Sequence, residues 1–390
     1  MPRRPDGTIA ASVRVLIDYR PALRRRTGVG EFVHQAVGAL SRLPTSDDAG
    51  ERVELTVFSA SWRDRLADSA DPLPDGVGWI DRRIPFRTLN RAWRRMEWPP
   101  IEMLAGSAFD VVHSPEPLLI PSRDAACVVT IHDLDFLDHP ERAEREARRD
   151  YPRLVRQHAH RADRIVVPSA WTAGEVARRL EVPPGRIAIC RHGAPDLAPR
   201  ASIPADGHLL FVGTLAARKN VAGLIDAYAR LVLLRPEVPP LVLAGAMPDG
   251  PAPDWRTRCD RPPLAGRIRF TGYVDGPTRD QLYAGARALA LVSFDEGFGL
   301  PVLEAMACGV PVVASNRGAL PEVVGDAGLI VDPDDTEALA GALDRIITDD
   351  ALAERCVARG YEQVREFTWE ASARALCKTY REAVAARGVG

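Results

Sequence analysis

Two glutamates frame a glycine-rich segment that could bind a phosphorylated sugar. Glu296 and Glu304 stand on either side of a Gly-Phe-Gly-Leu-Pro run, directly after the apolar stretch Ala288–Ser293. The glycines permit a tight turn with close backbone approach, and the proline suits the first turn of a helix. The N–H groups near Gly299 and Leu300 would then form an anion site at a helix N-terminus. The two carboxylates beside it would accept hydrogen bonds from sugar hydroxyls.

A second candidate is the adjacent cation pair Arg218 and Lys219, which follows Gly213-Thr214 at the end of another apolar run. Two cations at a helix start oppose the helix dipole, so an anion should compensate them. A diphosphate would do so, shared between the planar guanidinium and the ammonium. The alternative is a solvated pair. The chain has 51 Lys and Arg residues, of which only Lys219 and Lys378 are lysines, so a lysine at the end of a core strand favours a binding role.

Composition excludes several other classes of protein. With 51 basic and 53 acidic side chains the net charge is -2, which gives no field to attract nucleic acid. The six cysteines form no Cys-x-x-Cys pair and are expected to be buried thiols rather than disulfides or zinc ligands. No apolar run is long enough to span a membrane, and the N-terminus does not resemble a signal peptide. A cytoplasmic location is therefore expected.

Short apolar runs alternate with helical patterns along the whole chain, which predicts an α/β protein with doubly wound parallel sheets. A proline-rich stretch at 193–207 is the expected boundary. The predicted domains are 1–195, 205–368 and a C-terminal helix, 369–390, that packs back on the first domain. The predicted strands are Val13–Asp18, Val53–Ser59, Asp110–His113, Cys127–Ile131, Arg164–Pro168, His208–Gly213, Leu241–Gly245, Arg267–Thr271, Ala288–Ser293, Val310–Ala314 and Gly328–Val331.

Further motifs accompany the two candidate loops. They are Gly272-Tyr-Val, Pro311-Val-Val-Ala-Ser and Leu320-Pro-Glu-Val-Val-Gly-Asp-Ala-Gly in the second half, with Arg26-Thr-Gly-Val-Gly-Glu-Phe-Val, Thr130-Ile-His-Asp-Leu, His139-Pro-Glu and Val167-Pro-Ser in the first. Together with the Glu296–Glu304 segment they resemble the retaining GT-B glycosyltransferases of family four, in the mannosyltransferase-like branch. The resemblance spans most of the chain and is most specific over residues 208–332. It implies a GT-B fold, in which two Rossmann-like domains face each other.

The resemblance also implies a role for each matching position. Glu304 would bind the ribose hydroxyls, and Glu296 would hold the donor sugar with the N–H groups of Phe298 and Gly299. The diphosphate would be bound by the Leu300 N–H, Arg218, Lys219 and the Gly213-Thr214 turn. The backbone around Tyr273 and Val274 would contact the base, and His132 would contact the transferred sugar near its 6-hydroxyl. Gly28 and Gly30 would let the first domain approach the phosphate and the acceptor.

Some of these positions could have a purely structural role. Gly28 and Gly30 could form an ordinary turn, since Val33 stands where a dinucleotide fingerprint needs glycine. His132 could be a core histidine, although Asp133 could fix its tautomer. No metal or other cofactor is expected, because the cation pair would supply the charge that Mg²⁺ supplies elsewhere. Asp133 and Asp135 form an Asp-x-Asp pair, but they lie in the first half, away from the diphosphate loop.

The predicted function is transfer of a hexose, mannose favoured, from a GDP- or UDP-sugar to a saccharide, glycolipid or lipid-linked acceptor in cell-surface polysaccharide or glycoconjugate synthesis. Alternatives are glycosylation of a small natural product, a glucan- or sucrose-type synthase, or a non-catalytic nucleotide-sugar-binding subunit. The segment Arg82–Trp98, with six arginines between Phe86, Leu89, Trp93 and Trp98, could contact an anionic membrane at its inner face. The alternative is a solvated helix.

Overall fold

The computed structural model describes residues 12–23, 28–43, 52–66, 72–138, 150–247 and 253–388. The chain forms two compact units. Unit 1 comprises residues 1–193 and 369–390, and unit 2 comprises residues 194–368. Each is a parallel sheet covered by helices, so the α/β prediction is confirmed.

The sheet of unit 1 has seven parallel strands in the order β3-β2-β1-β4-β5-β6-β7. Five of them correspond to the apolar runs of the sequence, and most of their described side chains are buried, as expected when helices cover both faces. The strands are β1 (Ser12–Asp18), β2 (Arg52–Ala60), β3 (Gly78–Arg82), β4 (Val111–Ser114), β5 (Ala126–Thr130), β6 (Arg164–Val167) and β7 (Ile187–Ile189).

Seven helices accompany this sheet in the described part of unit 1. They are α1 (Gly28–Arg42), α2 (Phe86–Met96), α3 (Ile101–Ala105), α4 (Asp135–Asp138), α5 (Tyr151–Arg161), α6 (Ala170–Leu180) and the C-terminal α14 (Trp369–Arg387). Helix α14 lies against the first sheet, where Leu376 and Tyr380 are completely buried in the same core as Phe32 of α1.

One buried polar network joins α14 to the strands. The Tyr380 hydroxyl lies 2.8 Å from Nδ1 of His113 in β4, and Nε2 of His113 lies 2.7 Å from the Thr130 hydroxyl in β5. Burial, followed by the nearby His132, lowers the pKa of His113 to about 3. The imidazole is therefore neutral, and both its nitrogens are satisfied by hydroxyl groups. This network gives the helix a fixed register on the sheet.

Unit 2 repeats the architecture with six parallel strands in the order β10-β9-β8-β11-β12-β13. They are β8 (His208–Val212), β9 (Leu241–Ala244), β10 (Ile268–Gly272), β11 (Ala286–Leu291), β12 (Val312–Ser315) and β13 (Gly328–Val331). Its described helices are α7 (Val221–Leu234), α8 (Asp254–Arg258), α9 (Gly276–Ala284), α10 (Leu300–Ala307), α11 (Leu320–Val324), α12 (Thr336–Thr348) and α13 (Asp350–Val364).

Strand order reverses at one place in each sheet, between β1 and β4 in unit 1 and between β8 and β11 in unit 2. In open parallel sheets the loops that leave the two strands beside this reversal diverge to opposite faces, and the crevice between them is where ligands bind. The loops after β8 and β11 carry Arg218-Lys219 and the Glu296–Glu304 segment. Topology therefore places the two candidate loops of the sequence side by side.

No helix among the described residues is long and apolar enough to cross a lipid bilayer.

Candidate active site in unit 2

The loops that follow β8 and β11 are in direct contact. The Phe294 N–H donates to the Arg218 carbonyl at 2.8 Å, so the backbone of one loop holds the other. Gly213 directly follows β8 with φ +147°, and its carbonyl approaches Gly245 so closely that a Cβ at Gly245 would lie 1.8 Å from it. Only glycine tolerates this approach, which brings the start of the Arg218-Lys219 loop against the end of β9.

Glu296 stands at the centre of a buried ionic cluster. Its Oε1 accepts hydrogen bonds from Lys219 Nζ and, at 2.8 Å, from the Ser293 hydroxyl, while Arg218 Nη1 lies 3.4 Å from Oε2. Glu296 is 6% exposed and Lys219 is 8% exposed. Burial raises the pKa of Glu296, but the charges of Lys219 and Arg218 outweigh burial, so the net shift is downward. The carboxylate is ionised.

This arrangement refines the sequence-based interpretation of the cation pair. The expected anion that compensates Arg218 and Lys219 is present within the protein, and it is the Glu296 carboxylate. Two cations share this one carboxylate, so the three side chains retain a formal charge of about +1 in a poorly solvated place. The three side chains are thus preorganised, with one cation in excess of the carboxylate.

Helix α10 points its N-terminus at the same crevice. The helix begins at Leu300, with Pro301 in its first turn, and Gly299 precedes it with φ +109°. The amides of a first helical turn are directed outward along the axis and favour an anion. Phe298 is buried and packs on Phe367 with ring centroids 5.8 Å apart, which fixes the loop ahead of the helix.

Glu304 lies one turn inside α10 and is 8% exposed. Arg279 Nη1 donates to its Oε1 at 2.8 Å, and the Tyr283 hydroxyl donates to its Oε2 at 2.7 Å. Burial raises the pKa of Tyr283 well above its usual value, and the Glu304 charge raises it further, so the phenol is a permanent donor. Both oxygens of the carboxylate are held in a fixed orientation.

Arg279 and Tyr283 were not singled out in the sequence. The signal that could have found them is their spacing of four residues on α9, which places both on one face of that helix.

The loop between β10 and α9 contains Tyr273 and Val274, which the sequence assigned to the base. Tyr273 is 40% exposed, so its ring is accessible to a ligand.

The remaining predicted residues lie in unit 1. His132 follows β5 and donates from Nε2 to the Pro115 carbonyl at 3.1 Å, so this carbonyl fixes the tautomer for which Asp133 was expected. Its ring meets Phe32 edge-on with centroids 5.2 Å apart, and His192 lies beside it at 5.6 Å. Burial lowers the pKa of His132 to about 4, so it is neutral at physiological pH.

Gly28 and Gly30 were expected on the loop after β1, but in the structure they form the first turn of α1. A Cβ at Gly30 would lie 2.5 Å from the Pro21 carbonyl, whereas a Cβ at Gly28 meets nothing within 4 Å. Glycine is therefore required at position 30 for packing against Pro21, whereas the space beside Gly28 at the helix N-terminus is empty of protein atoms. Two motif segments, Arg26-Thr27 and His139-Pro-Glu, lie outside the described residues.

The structure changes the interpretation of the segment Arg82–Trp98. Membrane contact through the apolar residues of this segment would need Leu89 and Trp93 to face outward, but they are 3% and 5% exposed and belong to the core. The Trp93 indole N–H donates to the Pro99 carbonyl at 2.8 Å, which anchors the helix. The outward face of α2 is arginine-rich, while Met96 and Trp98 at its end are 64% and 56% exposed.

Across the described ranges no group of three or more His, Cys, Asp or Glu side chains is arranged to hold a metal ion. Asp133, part of the Asp-x-Asp pair, accepts the Asp135 N–H at 3.2 Å, which is a local turn contact.

Gly318 supports the Glu296 loop from behind. Its φ is +63°, and a Cβ at this position would lie 2.6 Å from both the N and O atoms of Glu296. We expect Gly318→Ala to displace Glu296 and lower kcat roughly 10-fold or more, because a shift of about 1 Å at a reacting centre costs up to about 100-fold. Initial rates measure the effect. Gly341→Ala, at an open position of α12, is the matched control, and equal rates in both variants would contradict the prediction.

Comparison with known proteins agrees with this geometry. A model described as Glycosyl transferases group 1 matches residues 206–349, and one described as Glycosyltransferase Family 4 matches residues 28–195. O-antigen chain mannosyltransferase B of Escherichia coli is 35% identical over 274 residues, covering 67% of this chain and 71% of that protein.

A phosphatidyl-myo-inositol mannosyltransferase of Mycolicibacterium smegmatis is 30% identical over 342 residues, covering 81% of this chain and 83% of that protein. Among solved structures, sucrose-phosphate synthase from Thermosynechococcus elongatus superposes with a TM-score of 0.73 at 24% identity, over 96% of this chain and all of that one. The chain therefore belongs to glycosyltransferase family 4, with the GT-B fold, and is a hexosyltransferase similar to mannosyltransferases.

Proposed function

We propose that this hexosyltransferase takes its sugar, mannose by preference, from a nucleoside diphosphate sugar and transfers it with retention of the anomeric configuration. The observation that carries the proposal is the buried cluster of Arg218, Lys219 and Glu296, which adjoins the N-terminus of α10. A residual positive charge beside a helix N-terminus fits a diphosphate, and an ionised carboxylate in the same cluster fits the hydroxyls of the attached sugar.

The roles then distribute along the crevice of unit 2. Arg218, Lys219 and the Leu300 N–H bind the diphosphate. Glu296 accepts from the sugar hydroxyls, with the amides of Phe298 and Gly299 beside it. Glu304, whose oxygens are oriented by its two donors, accepts from the ribose, and the Tyr273-Val274 loop meets the base. We further propose that unit 1 binds the acceptor and supplies neutral His132 to the transferred sugar.

In the transfer step the bond between the sugar anomeric carbon and the diphosphate oxygen breaks, and a bond forms from that carbon to the acceptor oxygen. The acceptor proton passes to the departing phosphate. Negative charge grows on the leaving group, where Arg218, Lys219 and the helix N-terminus stabilise it. The scheme involves no covalent enzyme intermediate and no metal, because side-chain cations perform the charge stabilisation.

For the donor we propose GDP-mannose ahead of UDP-linked sugars, since both relatives described above are named mannosyltransferases. For the acceptor we propose a hydroxyl of a saccharide or of a lipid-linked glycan, because one relative is named for the O-antigen chain and the other for phosphatidyl-myo-inositol. A small natural product is the second acceptor class. Arg218, Lys219 and Glu296 form one ionic cluster, and Glu304 is held separately by Arg279 and Tyr283. All four positions are therefore present, which favours a catalyst over a non-catalytic subunit.

Retention can be tested by following the product in real time by proton NMR. With GDP-α-mannose and a short mannoside acceptor, we expect the first product formed to carry an α-linked mannose. A β-linked first product would contradict the retaining mechanism while leaving the donor assignment intact. Failure of every nucleoside diphosphate sugar to react would contradict the donor assignment itself.

The arginine-rich outward face of α2 supports a subsidiary proposal, peripheral contact with an anionic membrane. Its exposed arginines, Arg87, Arg91 and Arg95, lie on one side of the helix. Each basic side chain near an anionic surface contributes about 1 kcal/mol. We expect the protein to cosediment with anionic vesicles at low salt, and Arg87→Gln with Arg91→Gln to reduce it. Absence of cosedimentation at low salt would reject the contact.

A further inference from the structure

Unit 1 contains a cavity of about 430 Å³ that none of the roles above uses. It lies at the amino ends of β5 and β6, whereas Pro115, His132 and Ser169 follow the carboxyl ends of neighbouring strands. A strand of five residues separates the two edges of the sheet by roughly 15 Å. The polar and ionisable side chains lining it are Glu97, Ser122, Arg123, Cys127, His158, Arg161 and Arg387, and we call it the arginine cavity.

Three guanidinium groups and one carboxylate give this lining a formal charge of about +2. Arg387, in the last turn of α14, is held by the carbonyls of Asp124 and Arg123 at 3.1 and 3.3 Å, and its Nη1 lies 3.3 Å from Asp163. Asp163 already accepts the Cys127 N–H at 2.7 Å. Arg387 is thus oriented by two carbonyls and ion-paired with Asp163, so the lining side chains together with Asp163 carry a formal charge of about +1.

The carboxylate of Glu97 forms an ion pair with the guanidinium of Arg161. Both of its oxygens accept from the guanidinium, the longer contact being 2.9 Å. Glu97 adopts φ +49° at the C-terminus of α2, a left-handed conformation that is unfavourable for a residue with a Cβ. The side chains of both partners are 45% exposed, so a competing anion can reach the pair. A bidentate carboxylate on arginine resembles a bidentate phosphate in geometry.

His158 supplies a neutral donor to the same cavity. It is 4% exposed, and its Nδ1 accepts the Leu119 N–H at 2.8 Å. The proton of the neutral ring is therefore on Nε2. Burial and the neighbouring Arg161 lower the pKa of His158 to about 4, so it remains uncharged near neutral pH. A ligand oxygen in the cavity could accept from this fixed group.

Two large, exposed apolar side chains belong to residues next to the lining residues. Trp98 lies between the lining residues Glu97 and Pro100 and is 56% exposed, and Met103 is 53% exposed. Arg123 Nη2 lies 3.7 Å from the Met103 sulfur, which places that methionine beside a lining residue. A ligand with an anionic group and an apolar remainder would match this combination.

We propose that the arginine cavity is a second binding site, separate from the donor site, for a phosphate-bearing ligand whose oxygens replace the Glu97 carboxylate on Arg161. Arg123 and Arg387 bind the remaining oxygens. The shared chemistry is a phosphomonoester or phosphodiester, carried either by a small soluble molecule or by a lipid headgroup. The site does not depend on the proposed donor or reaction.

The test uses the full chain carrying Arg218→Gln, so that phosphate contacts at the donor site are weakened in every sample. Glycerol 3-phosphate is titrated by calorimetry, and vesicles of equal parts phosphatidylcholine and phosphatidylglycerol are used in cosedimentation. Arg161→Gln and Arg387→Gln should each weaken binding roughly 10-fold or more, as expected for loss of a charge-assisted hydrogen bond. Arg178→Gln, an exposed arginine of α6, is the matched control and should change nothing.

The direction in which Glu97→Gln changes the affinity distinguishes this proposal from a loss of folding. Because it removes the internal competitor for Arg161, we expect binding to tighten several-fold, which a misfolded variant would not show. Binding of both probes, weakened by Arg161→Gln and Arg387→Gln, would identify the phosphate group alone as the ligand. Binding of vesicles only, weakened by the same two substitutions, would identify the lipid headgroup. The proposal is overturned if neither probe binds saturably, if Arg161→Gln and Arg387→Gln behave like Arg178→Gln, or if Glu97→Gln weakens binding.

Discussion

Replacement of Lys219 by alanine should lower kcat by roughly 100-fold or more, the effect of removing one preorganised electrostatic group from an active site. Lys219 is buried beside Glu296 and adjoins the helix N-terminus where negative charge is proposed to grow. Water cannot replace it efficiently, since only 9% of its side chain is exposed. Initial rates at saturating donor measure the loss. Arg218→Ala should act in the same direction, because Arg218 shares the same carboxylate.

The chain supplies a matched control for this experiment. Lys378 is the other lysine, its side chain is 79% exposed, and its nearest carboxylate is Glu382 at 4.0 Å. Lys378→Ala should therefore leave kcat unchanged. Glu296 retains Arg218 and the Ser293 hydroxyl when Lys219 is removed, so we expect the variant to fold, which circular dichroism can verify. A folded Lys219→Ala enzyme with the kcat of Lys378→Ala would contradict the assigned role.

Glu304→Gln should raise KM for the donor roughly 10- to 100-fold with a smaller change in kcat. The substitution keeps the shape of the side chain but exchanges charge-assisted hydrogen bonds for neutral ones, at about 1 kcal/mol or more for each ribose hydroxyl. It also leaves Arg279 and Tyr283 without the charge they now bind. Steady-state kinetics over a range of donor concentrations separate the two parameters.

A donor lacking the ribose 2′-hydroxyl shows whether the effect acts through that sugar. For this donor the penalty of Glu304→Gln should be smaller, because one of the hydrogen bonds at stake is already absent. Glu354→Gln, on the exposed face of α13, serves as the control for a change of one charge. Equal penalties with the ribose and 2′-deoxyribose donors would show that Glu304 does not bind the 2′-hydroxyl.

The sequence predicted the backbone of the site well, because local chemistry determines it. Glycine, proline and the apolar runs locate β8, β11 and the start of α10 within one or two residues. The alternation of strands and helices then implies parallel sheets, and the crevice at the reversal of strand order follows from topology. The pairing of Arg218 and Lys219 with Glu296 did not follow from spacing, because 77 residues separate Lys219 from its partner.

Other features depend on packing that no local pattern encodes. Arg279 and Tyr283 acquire their importance only when α9 packs beside α10. The edge strands β3 and β7 were not predicted, since they are short and Trp79 and Ile189 within them are 55% and 42% exposed, unlike the buried central strands. The apolar residues of α2 resembled a membrane face in the sequence, yet Leu89 and Trp93 form part of the core of unit 1.

The central claim is that unit 2 binds a nucleoside diphosphate between the Arg218-Lys219 loop and α10. Calorimetric titration of the wild-type chain with GDP and UDP tests it most directly, with Lys219→Ala, Glu304→Gln and Lys378→Ala as parallel samples. We predict saturable binding of one nucleotide per chain, GDP by preference, weakened in the first two variants and unchanged in the third. Absence of binding by either nucleotide, or binding that survives both Lys219→Ala and Glu304→Gln, would contradict the claim.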